Sequence, residues 1–206
     1  MRISIIGSGN MARGIGTRLA SVDHELVVHG RDSDKARDLA EALGATHATD
    51  LAAAANADVI VLATPYQASL TLARELADAL DGRILVDISN PLNATYDGLL
   101  TTDVSAAEQI ALAAPAARVV KAFNTTFAGT LIEGGVGGQA LDVLLAGDDD
   151  DAKAVVAGLV EEGGLVAIDA GPLHRSRQLE GMALLGITLQ FRLGTGFGTA
   201  WKLVRP

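Results

Sequence analysis

Six residues near the amino terminus, Gly7-Ser8-Gly9-Asn10-Met11-Ala12, carry the strongest chemical signal in the chain. They follow a short apolar run, Arg2–Ile6, and Met11, Ile15 and Leu19 then recur at helical spacing to about Ser21. A glycine directly after a strand permits a tight turn, and a second lets backbone approach an anion with no side chain in the way. A small third residue, here Ala12, allows close packing of helix on strand. The helix N-terminus then presents free N–H groups and a partial positive charge. The bland alternative is a turn of small residues that binds nothing. The strand–turn–helix context favours a pyrophosphate cradle made by Gly7, Ser8, Gly9, Asn10 and Met11.

The end of the second strand, Glu25–His29, bears on which dinucleotide is held. A carboxylate there would hold a ribose 2′-hydroxyl, as in NAD-binding chains. This sequence has Gly30 and Arg31, with Lys35 one helical turn on. A guanidinium can grip a 2′-phosphate with two charge-assisted hydrogen bonds, so the expected ligand is NADP(H). Asp32 and Asp34 lie close by, and a solvated charged loop is the competing reading. Thr64-Pro65 and Asn90-Pro91 end later strands, and Asn124-Thr125 follows another. Ligands in open α/β sheets bind outside the carboxyl ends of strands, so these residues are expected to border the nicotinamide half. Simple capping of strands and helices is the alternative for each.

Other chemistries find no support. The four histidines fall in no metal-ligand spacing, the chain has no cysteine, and there is no Gly-x-Ser-x-Gly. The aspartates 148–151 lack the ligand spacing of a calcium loop and precede a helix, whose N-terminus favours acidic residues.

These residues need a scaffold, and the apolar pattern supplies one. Strands are expected at 2–6, 25–29, 58–63, 83–87, 118–122, 141–146 and 165–169. Helices are expected at 33–43, around Leu72, Leu76 and Leu80, and at 105–113 and 151–162. Continuous apolar strands alternating with helices predict an α/β, Rossmann-type, doubly wound and mostly parallel sheet with helices on both faces. Gly134, Gly135, Gly137 and Gly138 read as a mobile loop beside a site. Residues 1–172 form the expected nucleotide-binding domain. Residues 173–206 form a C-terminal helix and tail, with an apolar stripe of Leu179, Met182, Leu185 and Leu189 and further apolar residues outside it, Leu184 and Ile187. A helix apolar on several faces needs burial on more than one side, which suggests a dimer.

The chain has 206 residues, 49% hydrophobic and 20% charged, enough for a sizeable core, which must be built from small aliphatic residues because only 3% are aromatic. A net charge of −9 disfavours nucleic acid and acidic membrane surfaces, and no apolar run approaches a membrane span. No signal peptide is visible. A soluble, cytoplasmic protein is expected.

The chain resembles the small dinucleotide-binding reductases that include coenzyme F420-dependent NADP oxidoreductase. The likeness rests on Gly7 to Ala12, Gly30-Arg31 with Lys35, Ser89-Asn90-Pro91, Lys121-Ala122-Phe123-Asn124-Thr125 and Asp169-Ala170-Gly171-Pro172-Leu173, together with Arg177-Gln178-Leu179-Glu180 and Gly194-Thr195-Gly196-Phe197-Gly198 in the tail. The segment around Lys121 also resembles the cytoplasmic NADPH domain of the STEAP metalloreductases. The resemblance implies a homodimer exchanging hydride between NADPH and a deazaflavin, coenzyme F420, or a flavin. Thr64, Pro65, Asn90, Pro91 and Asn124 would line the cleft, with Thr125 beside them. No acid–base residue is certain, which suits direct hydride transfer. Lys121, Arg175 and Arg177 are candidates to hold an anionic tail of the acceptor, with surface placement the alternative. Two other functions stay open: reduction of a small metabolite, and non-catalytic NADPH sensing.

Overall fold

The computed structural model describes every residue except Thr102, Arg205 and Pro206. In chain order the elements are β1 (Arg2–Ile6), α1 (Asn10–Leu19), β2 (Glu25–His29), α2 (Ser33–Leu43), β3 (Thr46–His47) and α3 (Leu51–Ala55). Next come β4 (Val59–Leu62), α4 (Tyr66–Glu75), β5 (Ile84–Asp87), α5 (Ala106–Ala113), β6 (Arg118–Lys121) and α6 (Ala128–Glu133). The chain closes with β7 (Gly135–Val136), β8 (Gln139–Ala140), β9 (Asp142–Gly147), α7 (Asp150–Glu162), β10 (Val166–Asp169) and α8 (Ser176–Leu193).

Eight strands make one sheet in the order β10-β9-β6-β5-β4-β1-β2-β3. All neighbours pair in parallel except β6 with β9, so β9 and β10 run against the rest. This is the expected mostly parallel α/β sheet. Alternate residues of each strand feed opposite faces. Ile3, Ile5, Val61 and Val86 pack with Ile15 of α1, Leu39 of α2 and Val156 of α7. Ile60, Leu62 and Leu85 pack with Ala54 of α3, Leu70 of α4 and Ile110 of α5. Both faces are covered, which is why the strands read as unbroken apolar runs. Among the described residues, no helix is long and apolar enough to cross a membrane.

Several expectations need correction. The helix inferred around Leu72, Leu76 and Leu80 begins earlier, at Tyr66 after Pro65, and ends at Glu75. Leu76 and Leu80 are still buried, but from the turn that follows, so their spacing reflects burial and not helix. The glycines at 134–138 form a hairpin instead of a simple loop. Gly134 caps α6, and Gly137 and Gly138 take the two positive φ angles (59° and 77°) that a two-residue hairpin turn requires. On α8 the stripe Leu179, Met182, Leu185 and Leu189 is not the buried face. The face turned inward is Ser176, Leu179, Glu180, Ala183, Gly186 and Gln190, and Leu185 is 50% exposed. Small residues win there because the tail folds back on the helix: a Cβ on Gly186 would lie 3.0 Å from Trp201 Nε1.

Candidate functional site

The glycine turn sits where β1 is flanked by β2 on one side and β4 on the other. Gly7 donates its N–H to His29 O at 2.7 Å and has φ of 136°. A Cβ there would lie 2.2 Å from Ala63 O, so glycine is required by both conformation and space. Gly9 is different. It is the extended N-cap of α1, no side chain caps the helix, and a Cβ would meet nothing within 4 Å. The first turn of α1 therefore presents its backbone N–H groups to an open cradle, the arrangement that receives an anion. Gly30 closes against this turn, since a Cβ there would fall 3.0 Å from Ser8 Oγ.

Arg31 and Lys35 lie at the adjoining end of β2 and the start of α2, both exposed. Arg31 has no ion-pair partner among the described residues. Lys35 Nζ is 3.2 Å from Asp32 Oδ2, and its backbone N–H donates to Asp32 Oδ1, which caps α2. Hydrogen bonds from Lys35, backbone first and then side chain, hold the Asp32 carboxyl below its ordinary range. Lys35 is thus partly neutralised and Arg31 is the less committed cation.

Next to the turn opens a cleft of about 590 Å³. Asn10 and Met11 belong to its wall, along with Asn90, Asn124, Phe127 and Phe197. Asn90 and Asn124 clasp each other: Asn90 Nδ2 donates to the Asn124 carbonyl and Asn124 Nδ2 to Asn90 Oδ1, each at 2.9 Å. The other oxygen-bearing end of this clasp is unfinished: Asn124 Oδ1 is buried and has no hydrogen-bond partner among the described residues. A buried polar atom left unpaired costs free energy, and this one belongs to a residue of the cleft wall, where a ligand donor could complete it. The opposite wall is aromatic. Phe197 meets Phe127 edge-on at 5.2 Å and Phe191 at 5.5 Å. None of the thirteen lining residues is charged or a histidine.

The expected site residues divide. Gly7 to Met11, Asn90 and Asn124 converge on the turn and cleft. Pro91 and Thr125 flank the cleft without forming its wall. Thr64 Oγ1 bonds Ser69 Oγ at 2.7 Å and Pro65 is the N-cap of α4, so both visibly start a helix beside Gly7. Lys121 is neither a tail holder nor a surface lysine. It is 0% exposed and bonded to Asp87 and Glu180 at 2.8 Å each. Burial lowers its pKa, but the two carboxylates outweigh this and the net shift is upward. Burial in turn pushes the Glu180 carboxyl up, with Lys121 opposing. Arg177 is likewise committed, with two hydrogen bonds to Glu108 at 2.8 and 2.6 Å. Arg175 is exposed and lies outside the cleft lining. Sequence reasoning missed the aromatic wall, although a signal existed. The chain has only four phenylalanines, and three of them, Phe127, Phe191 and Phe197, line this cleft.

Comparison with known proteins identifies the family. Residues 2–91 match the family model described as NADP oxidoreductase, coenzyme F420-dependent. The F420-dependent NADP reductase of Methanothermobacter thermautotrophicus is 32% identical over 93% of this chain and 90% of its own length. The rat metalloreductase STEAP3 is 33% identical over 89% of this chain but only 36% of its own length. A crystal structure from Arthrobacter sp. FB24, assigned as an F420-dependent NADP-reductase, superposes with a TM-score of 0.87 at 31% identity, covering 98% of this chain and 99% of that one. The chain therefore belongs to the F420-dependent NADP reductase family.

Proposed function

We propose that the chain is an oxidoreductase that moves hydride between NADP(H) and coenzyme F420. The observation that carries this reading is the sharing of Asn10 and Met11 between the phosphate turn and the cleft. One ligand can then lay an anion on α1 and a ring among Asn90, Asn124 and the phenylalanines. The residues present fit such a ligand. The space over Gly9 is open, Arg31 is available for a 2′-phosphate, and Asn124 Oδ1 can accept a hydrogen bond from a carboxamide N–H. Residues 1–172 would bind the dinucleotide and residues 173–206 complete the acceptor side through Ile187, Phe191 and Phe197.

When bound, the nicotinamide and deazaflavin supply the redox chemistry as a two-electron hydride exchange. The protein's work is orientation and exclusion of water. Asn124 would hold the nicotinamide end through its free oxygen, with Asn90 bracing Asn124. The phenylalanine wall would keep water from the site of transfer. No side chain in the cleft needs to donate or accept a proton. Exposed Leu185 and Leu193 on α8, 50% and 63% accessible, support a homodimer.

Purified protein mixed with NADPH and, separately, F420, FMN and riboflavin tests the assignment. Loss of nicotinamide absorbance with F420 is the expected result. Loss with FMN or riboflavin only would shift the acceptor to a flavin, the second reading that the resemblance to the STEAP metalloreductases implies. No loss with any acceptor would overturn hydride transfer to this class.

A further inference from the structure

We propose that Lys121 is a positioning residue for the nicotinamide end of the cleft, acting through the two loops that carry Asn90 and Asn124. The proposal rests on the dinucleotide reading above. Lys121 ends β6 directly beside Asp87 at the end of β5. An ammonium has three N–H donors, and all three are used: Asp87 Oδ2 and Glu180 Oε1 at 2.8 Å and the Ser89 carbonyl at 2.5 Å. The second oxygens of the carboxylates are used too. Asp87 Oδ1 accepts the Ser89 N–H at 2.9 Å, and Glu180 Oε2 accepts the Ala106 N–H at 3.1 Å, in the first turn of α5.

A buried ion cluster is weak evidence for stability, because apolar residues of similar volume often serve as well. What an apolar residue could not do is hold the Ser89 carbonyl, and that bond lands next to Asn90. Along the chain Lys121 stands three residues before Asn124, across Phe123, whose φ of 60° is unusual for a bulky side chain. Such a conformation persists where its surroundings over-determine it. The ammonium is one anchor of that loop and the Asn90–Asn124 clasp is the other. The third leg of the cluster, Glu180, belongs to α8, whose later turns carry Ile187 and Phe191 of the cleft wall. The buried ammonium thus ties the loops of Asn90 and Asn124 to the helix that supplies part of the cleft wall, while touching nothing near Arg31.

The test compares two ligands on wild type and on the uncharged variant Asp87→Asn/Lys121→Met/Glu180→Gln, which leaves no lone charge buried. NADPH reaches both the cradle and the cleft. Adenosine 2′,5′-bisphosphate carries the 2′-phosphate but has no nicotinamide. The variant is expected to bind NADPH about tenfold more weakly and the bisphosphate within about twofold of wild type. Equal weakening of both, or no change in either, would overturn the proposal. If wild type binds neither ligand, the dinucleotide reading itself falls, and this inference with it. Should the triple variant fail to fold, Glu180→Gln alone keeps the shape and an acceptor for Lys121, and the same ratio of affinities decides.

Discussion

Gly7 and Gly9 stand two residues apart and predict opposite phenotypes. At Gly7 both the φ of 136° and the nearby Ala63 carbonyl exclude a side chain. Gly7→Ala should cost at least about 1–3 kcal/mol from backbone strain alone, seen as a fall in Tm of several degrees. At Gly9 a side chain meets nothing, and a carboxylate there would cap α1 itself. Gly9→Asp should melt at or slightly above the wild-type temperature, yet lose roughly 10²-fold or more in NADPH affinity by occupying and repelling the anion site. A variant that still bound NADPH normally would show that the pyrophosphate lies elsewhere. For nucleotide choice, Arg31→Ala with Lys35→Ala should raise KM for NADPH by about 10²-fold while leaving KM for NADH little changed. Equal effects on the two cofactors would remove the 2′-phosphate assignment. Arg31 is expected to dominate, because Lys35 is already bonded to Asp32.

At the scale of elements, the placement of α8 decides whether the cleft has a wall. Its first turns are tied down at two points, Glu180 to Lys121 and Ala106, and Arg177 to Glu108. Glu108 also forms a capping box with Ser105 at the start of α5. The Arg177 guanidinium, with the Ser105 N–H and hydroxyl, brings the Glu108 pKa down to about 2, against a partial opposing effect of burial. A folded-state pKa below the unfolded value of 4.5 means stabilisation that is complete above about pH 4.5 and lost as pH falls towards 2. Glu108→Gln should therefore lower Tm at neutral pH, and the gap between variant and wild type should close between pH 4.5 and 2. A gap that stayed constant across that window would show the ionic tie to be idle. The element also shows why periodicity misleads: Leu185 fits an apolar stripe by spacing but faces outward, while Gly186 admits the Trp201 tail on the inner side.

For the whole molecule, Leu185, Leu193 and Val204 leave an apolar surface on and beyond α8. If that surface is a dimer interface, light scattering should give twice the chain mass, and Leu185→Glu with Leu193→Glu should halve it without loss of NADPH binding. A monomeric wild type would end the dimer reading. The sequence by itself determined the alternation of strand and helix, since runs such as Val59–Leu62 can only be buried on both faces, and it determined the tight glycine turn that opens α1, where two glycines act within a few residues. Local interactions leave local marks. The tertiary structure alone decided the reversal of β9 and β10, the aromatic wall and the fate of Lys121. Lys121 lies 34 residues from Asp87 and 59 from Glu180. A lysine reads as a surface charge until chain folding brings two carboxylates and a carbonyl around it, because its burial is tolerable only with those partners. Nothing in its neighbours along the chain announces them.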